Sequence, residues 1–382
     1  MKLVYLLLFF SLSISAQKTT ELFNSNKLGE SREITISLPP TYEKNPTDKY
    51  PLLVLLDGDY LFDPFSGALS YGAYWGDLPE TIIVGINQNK NGERYDDSTF
   101  DPAEGIPAEK GIKFFEFIGG ELMPYLEKKY RIAPFKIIAG HDTTAGFLNF
   151  FLYKDDPIFN AYISLSPELA TDMETRIPDR FTKLKTPIFY YQSTADGDVK
   201  EMKEQIQKLD QNITAVASPI VNYKYDDFKS ASHYSLVLFS IPSALYQFFD
   251  SYKPISSSEY TTKIAKLEKG YVDYLKDKYE VINKTLGLKT KIRINDFKAI
   301  EAAILQNKEY EELDKLSELA NKNYPKTMLA NYELGLMYEK MGDSKKAAKA
   351  YQNAFQQQEI GDLTKEMMLK KADDMKALNP KK

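Results

Sequence analysis

The residues best suited to chemistry lie in one run, Phe135-Lys136-Ile137-Ile138-Ala139-Gly140-His141-Asp142-Thr143-Thr144-Ala145-Gly146. It reads as an apolar strand, a sharp turn and a helix, the context of a nucleophile elbow G-x-S-x-G, with Asp142 at the serine position. A serine there attacks an ester carbonyl to give an acyl-enzyme, which water hydrolyses with help from a histidine. A carboxylate attacking the same carbonyl gives a mixed anhydride and must expel a poor leaving group. Asp142 is therefore no substitute for serine in ester hydrolysis. It can attack an sp³ carbon, giving an alkyl ester that an activated water cleaves. The competing expectation is a retained turn whose chemistry is lost. The apex is strained, often at positive φ, which aspartate tolerates better than most residues, and Asp142 could pair with His233 and favour its protonated form. Thr143 and Thr144 are alternative nucleophiles, neither at the apex. Thr144 also brings a β-branched side chain where strand and helix pack closely, which suggests a reshaped turn.

The chain has two histidines, His141 in the turn and His233. Ahead of His233, Asp196 and Asp198 in Ser193-Thr194-Ala195-Asp196-Gly197-Asp198 follow a strand and are candidates to orient an imidazole. Asp196 is preferred, Asp198 is the alternative, and an ordinary turn with a helix N-cap is the reading without chemistry. Up to about Tyr252, short β-rich runs that could carry these residues alternate with helical stretches. Candidate strands are 33–38, 52–56, 81–86, 136–139, 161–165 and 187–191; candidate helices include 111–129, 145–153 and 200–209. The inner strands are nearly continuous apolar runs, as in strands covered on both faces. The alternation predicts a mainly parallel α/β sheet with helices on both faces.

Segments spread from about Ser31 to Ser251 resemble the putative-esterase family of α/β-hydrolases, which includes esterase D and the enterobactin (siderophore) esterases. That family typically reads G-H-S-x-G-G at the elbow. Gly140 and His141 match, whereas Asp142, Thr144 and Ala145 depart. Tyr50-Pro51-Leu52-Leu53-Val54-Leu55-Leu56-Asp57-Gly58-Asp59 looks like the family's strand ending in Asp-Gly. Gly85-Ile86-Asn87 with Arg94 and Asp96 looks like its next loop, and Phe114 to Arg131 like its characteristic helix. Ser164-Leu165-Ser166-Pro167 looks like its strand end after the elbow helix. His233 opens His-Tyr-Ser-Leu-Val where the family has its catalytic histidine. The resemblance implies a carboxylic ester hydrolase fold with the order Asp142, Asp196 (or Asp198), His233. It also implies an oxyanion hole of backbone N–H groups at Gly58, Asp59 and Thr143, and no cofactor. Gly140-His141-Asp142 is further similar to the elbow of haloalkane dehalogenases and epoxide hydrolases. There Thr143 stands in place of an aromatic residue, and the flanking segments do not match.

Met1-Lys2, the apolar run Leu3 to Ile14 and the closing Ser15-Ala16-Gln17 predict a secretory signal peptide over residues 1–16. Spanning a bilayer takes about 20 apolar residues, more than this run offers. An exported protein, periplasmic or secreted, is expected. Zero cysteines leave the core to hold the fold without disulfides. Residues 17–253 are read as the hydrolase domain, Pro254-Ile255-Ser256-Ser257-Ser258 as a linker and 254–382 as a small all-α domain. In the latter, Leu334, Gly335, Tyr338, Ala347, Tyr351 and Ala354 have tetratricopeptide spacing, and Ala320 and Pro325 match a preceding unit. An ordinary helical hairpin is the alternative. Few repeats bury little apolar face unaided, so this region packs on the hydrolase domain or offers a small concave surface for a protein partner.

The net charge is −5, and no basic run is present, which argues against nucleic-acid binding. Asp57, Asp59, Asp96, Asp97 and Asp101 crowd the expected sheet mouth without calcium-loop spacing, and are read as solvated. Gly119-Gly120 falls inside a predicted helix without phosphate-cradle spacing. Two functional classes follow. One is a hydrolase of a small ester or alkyl electrophile; the other is a binding protein with an ester-like ligand in its cleft.

Overall fold

The computed structural model describes residues 18–378; the expected signal peptide at 1–16 and the last four residues lie outside them. The chain divides into two compact units, residues 18–74 with 79–248, and 75–78 with 249–378.

The first unit is built on one eight-stranded sheet: β1 (Lys18–Ser25), β2 (Glu30–Ser37), β3 (Tyr50–Leu55), β4 (Ile82–Ile86), β5 (Ile132–His141), β6 (Ala161–Leu165), β7 (Ile188–Gly197) and β8 (Val221–Ser232). The order is β1-β2-β4-β3-β5-β6-β7-β8. β1 and β2 pair antiparallel, and β2 meets β4 antiparallel. All pairs from β4 through β8 are parallel. Every residue of β3, β4 and β6 is buried, which is why these segments are unbroken apolar runs. Eight α-helices cover the sheet: α1 (Gly58–Trp75), α2 (Glu93–Asp97), α3 (Glu109–Phe117), α4 (Met123–Lys129), α5 (Thr143–Leu148), α6 (Met173–Phe181), α7 (Lys200–Val216) and α8 (Leu236–Phe248).

The expected mainly parallel sheet is present, with two strands added at its edges. β1 and β8 carry many polar residues and are largely exposed or half-buried, so neither has the apolar signature of the inner strands. The single helix expected over 111–129 is three pieces. A π-helical turn at Ile118–Leu122, containing Gly119-Gly120, separates α3 from α4.

The second unit is helical, with its longest helices at Tyr271–Leu286, Ile294–Asn307, Glu312–Asn323, Leu329–Lys340, Ser344–Phe355 and Lys365–Ala377. Within the run read as a linker, the Ser256 hydroxyl caps the helix Ser257–Thr262 by accepting from Glu259 N–H. Asp343 and Thr364 cap two later helices in the same way. Gly335 and Tyr351, on consecutive helices, meet closely: a Cβ on Gly335 would collide with the Tyr351 ring. That ring is held by its hydroxyl donating to Glu339 Oε2 at 2.6 Å and by Lys371 Nζ 5.0 Å from its centroid. Helix propensity alone would make Gly335→Ala stabilising by about 1 kcal/mol. The blocked ring reverses the sign, and a loss of about 1–3 kcal/mol is expected in urea unfolding. An unchanged or raised midpoint would refute this packing. Among the described residues no helix is long and apolar enough to cross a membrane.

Candidate active site

Three non-glycine residues adopt positive φ where parallel strands end: Asp57 (54°) after β3, Asp142 (61°) after β5 and Ser166 (43°) after β6. Ligands of parallel α/β sheets sit outside these carboxyl ends. Strain of about 1–3 kcal/mol per residue persists only where the surroundings impose it, and it concentrates at functional sites.

Asp142 has φ 61° and ψ −124° between the end of β5 and the start of α5. The turn is a sharp strand–helix elbow in spite of Thr144, and the reshaping expected from that residue does not occur. Thr144 is fully buried and accommodated by hydrogen bonds. Its Oγ1 lies 2.5 Å from Asp57 Oδ2 and 2.9 Å from His141 O, and accepts from His141 N–H at 3.0 Å. Close packing rests on its neighbours instead. A Cβ on Gly140 would lie 2.8 Å from Thr144 Oγ1, and one on Gly146 would strike the Glu168 carbonyl. These bonds occupy Thr144, so it is not a substitute nucleophile. Thr143 is buried at the first position of α5, and Gly58 and Asp59 open α1. All three candidate oxyanion-hole residues thus stand at helix N-termini, where N–H groups lack intrahelical acceptors.

His233 and its acid are brought together, with one correction. Asp198 Oδ1, and not a carboxylate oxygen of Asp196, lies 3.0 Å from His233 Nδ1. Asp198 follows a bulge at the end of β7 and is turned back by bonds from Thr194 Oγ1 (2.5 Å) and Ala195 N–H (2.9 Å) to its Oδ2. Asp196 points outward and pairs with Lys203 at 2.8 Å. Burial raises the Asp198 carboxyl, but hydrogen bonds from His233, Thr194 and Ala195 outweigh it and hold the group below its ordinary range. Ser166, fully buried, adds its Oγ at 3.2 Å from the same His233 Nδ1. It lies on the Asp198 side of the ring, which makes it a positioning residue and not a nucleophile. A neutral imidazole held at Nδ1 by a carboxylate has its lone pair on Nε2, the tautomer of a general base.

Asp142 does not bond that imidazole: its Oδ1 is 3.9 Å from His233 Nε2. Its Oδ2 takes Arg94 Nη1 at 3.1 Å. Arg94 is anchored by Asp57 Oδ1 on its Nε (2.6 Å) and by the His141 carbonyl on its Nη2 (2.7 Å). Asp57, expected to be solvated, is 1% exposed. Burial raises its carboxyl against the opposing pull of Arg94, Thr144 and Tyr60. Asp97, also expected in solvent, is buried against Arg32. Among the described residues no group of three or more His, Cys, Asp or Glu is arranged to hold a metal ion. The cleft, about 450 Å³, is lined by Tyr60, Gln88, Arg94, Tyr95, His141, Asp142 and Tyr234, among others.

His141 is a structural member of the site. Its Nε2 lies 3.0 Å from the His233 carbonyl, which can only accept, so a proton sits on Nε2, while Nδ1 lies 3.0 Å from the Tyr60 hydroxyl, which itself donates to Asp57 Oδ2 at 3.0 Å. Burial, then the neighbouring His233, lowers its pKa from 6.5 to about 4. The folded state therefore binds this proton less readily than the unfolded chain. The stability this group contributes is complete above about pH 6.5 and is lost as the pH falls toward 4, by roughly 3 kcal/mol. His141→Gln should flatten the wild-type decline in the free energy of urea unfolding between pH 7 and 4 by that amount. Parallel curves for the two proteins would contradict it.

The comparisons agree with this architecture. The profile of the family described as "Putative esterase" matches residues 25–216. An uncharacterised protein from Capnocytophaga ochracea DSM 7271 has a crystal structure 32% identical in sequence, covering 94% of this chain and 100% of that one, with a TM-score of 0.85. An IroE-like serine hydrolase from Shewanella oneidensis is 21% identical (80% and 99% covered, TM-score 0.61). The BES protein from Bacillus cereus is also 21% identical (62% and 97% covered, TM-score 0.53). The latter two show the fold alone. No curated protein matches the chain. The matched profile spans the elbow and the strands that frame it, and the chain belongs to the putative-esterase family of α/β-hydrolases.

Proposed function

We propose that the chain is an exported pseudoenzyme of its family, in which loss of the serine nucleophile has left a ligand-binding cleft. The observation that carries this reading is the state of Asp142. One of its oxygens is committed to Arg94, the other is out of hydrogen-bond reach of His233, and a carboxylate is unsuited to acyl transfer. Export rests on the leader-like residues 1–16, which implies a periplasmic or secreted location. The helical unit is proposed to dock a protein partner, in keeping with the tetratricopeptide spacing of Leu334 to Ala354.

A second reading draws on one specific feature. Asp142 Oδ1 faces an imidazole backed by Asp198, the set of groups that carboxylate-nucleophile hydrolysis of an alkyl electrophile requires. There the carboxylate would form a C–O bond to an epoxide carbon as the ring C–O bond breaks, the released alkoxide taking a proton from water. Water deprotonated by His233 would then cleave the resulting ester to a diol. The Arg94 pairing weighs against it by withdrawing charge from the nucleophile. The test is a screen of the wild-type protein, at high concentration, on short p-nitrophenyl esters and on epoxides. No turnover on either is expected; ester turnover would overturn the pseudoenzyme, and epoxide turnover abolished by Asp142→Asn would install the second reading.

A further inference from the structure

The gap between Asp142 and His233 has a definite chemistry. His233 Nδ1 is spent on Asp198, so the ring in its neutral form presents a lone pair at Nε2. Asp142 Oδ1, 3.9 Å away, is an acceptor as well. Among the described residues no donor reaches either atom. Two acceptors facing one another at this distance call for a group that carries several donors and sits beside both.

The charges select among such groups. Asp57, Asp142 and Asp198 ring the site with a single guanidinium, Arg94, which is already bonded to two of them. Asp57 and the half-buried Arg94 balance as a pair, leaving Asp142 and Asp198 in excess. No lysine lines the cleft, and its other lining groups include the neutral Gln88, Asn89 and Gly92. An anionic ligand would meet the open oxygen of Asp142 head-on and would have to displace that side chain to reach Arg94. Tyr60, Tyr95 and Tyr234 line the same cleft, all more than a third exposed. Tyrosine faces attract cations and pack against an apolar body.

We propose that this cleft takes a ligand bearing a primary ammonium group next to an aromatic or apolar body, with the ammonium between Asp142 Oδ1 and His233 Nε2. Two N–H bonds satisfy the two acceptors, and the body lies among the tyrosines. The inference rests on the reading of the cleft as a binding site. It also gives the serine-to-aspartate exchange a consequence beyond lost catalysis, since the exchange adds the charge that sets the preference.

A charge-swapped pair of nearly equal shape tests it: phenethylammonium and 3-phenylpropanoate, titrated calorimetrically into the wild-type chain at pH 7.5. The ammonium should bind at least tenfold more tightly, and Asp142→Asn, which keeps the shape and removes the charge, should erase the preference. Asp142→Gly, compatible with the positive φ, serves if the asparagine variant does not fold by circular dichroism. Equal binding, preference for the carboxylate, binding of neither, or a preference that survives loss of Asp142 would each overturn the proposal. Ester turnover by the wild type would instead overturn the pseudoenzyme reading, and the ammonium preference would still be decided by its own titration.

Discussion

Asp142→Ser is expected to hydrolyse p-nitrophenyl acetate roughly 10³-fold faster than the uncatalysed reaction, while the wild-type chain remains at background. In free-energy terms this asks the variant for about 4 kcal/mol of barrier lowering. Most of what supplies it is in position: an imidazole oriented by Asp198 at 3.0 Å, a sharp elbow, and helix N-termini at residues 58 and 143. The missing part is a nucleophile with a proton for His233 to take. Serine lacks the carboxylate that engages Arg94, but the guanidinium keeps Asp57 and the His141 carbonyl, so no buried charge is orphaned by the exchange. Catalytic hydrogen bonds tighten as substrate binds, so the 3.9 Å between Nε2 and Asp142 is no bar. The gain should vanish in Asp142→Ser/His233→Ala. A folded but inert Asp142→Ser would show that function was lost at more than the apex. Restoring glycine as well, in Asp142→Ser/Thr144→Gly, is expected to be counterproductive, because Thr144 Oγ1 bonds the buried Asp57.

The elbow and the inner sheet were legible because both are written locally. β6 coincides with the apolar run 161–165, and Gly140-His141-Asp142 announces a turn whatever lies around it. The acid was harder to read. Asp196 and Asp198 are two positions apart, and a strand's period of two puts such residues on one face. The choice depends on the bulge between Ala195 and Gly197, which sequence alternation does not reveal. The acidic residues near the sheet mouth misled for another reason. Asp57 and Asp97 look like solvated loop residues, yet each is buried by an arginine far along the chain, Arg94 and Arg32. Pairings of that kind depend on the tertiary fold, so neither the anchoring of Arg94 nor the support of His233 by Ser166 had a local signal. β1 and β8 were missed because edge strands need no continuous apolar run.

Removing one partner of the Arg32–Asp97 pair should be among the costliest single substitutions in the first unit. Both side chains are at most 1% exposed. Arg32 Nη1 and Nη2 both donate to Asp97, Nη2 also reaches Glu30 Oε1 at 2.6 Å, and Gln88 Nε2 donates to Asp97 Oδ2 at 2.9 Å. Replacing Asp97 with alanine leaves the buried guanidinium with Glu30 as its remaining carboxylate partner, at an expected cost of about 3 kcal/mol in urea unfolding. Much of that loss is the penalty of an under-compensated buried charge and not the net value of the pair. Arg32→Met/Asp97→Leu, which removes both charges, should therefore recover most of the stability lost in Asp97→Ala. If the double variant is as unstable as the single one, the pair is net stabilising and this account of its energetics is wrong. The same substitution should reach the cleft. Gln88 accepts from Asp57 N–H at 3.0 Å while it donates to Asp97, so loss of Asp97 frees the residue that positions Asp57 and, through it, Arg94. In the Asp142→Ser background, Arg32→Met/Asp97→Leu should lower the acquired hydrolysis even where its stability is restored, because the oriented amide of Gln88 has lost its partner.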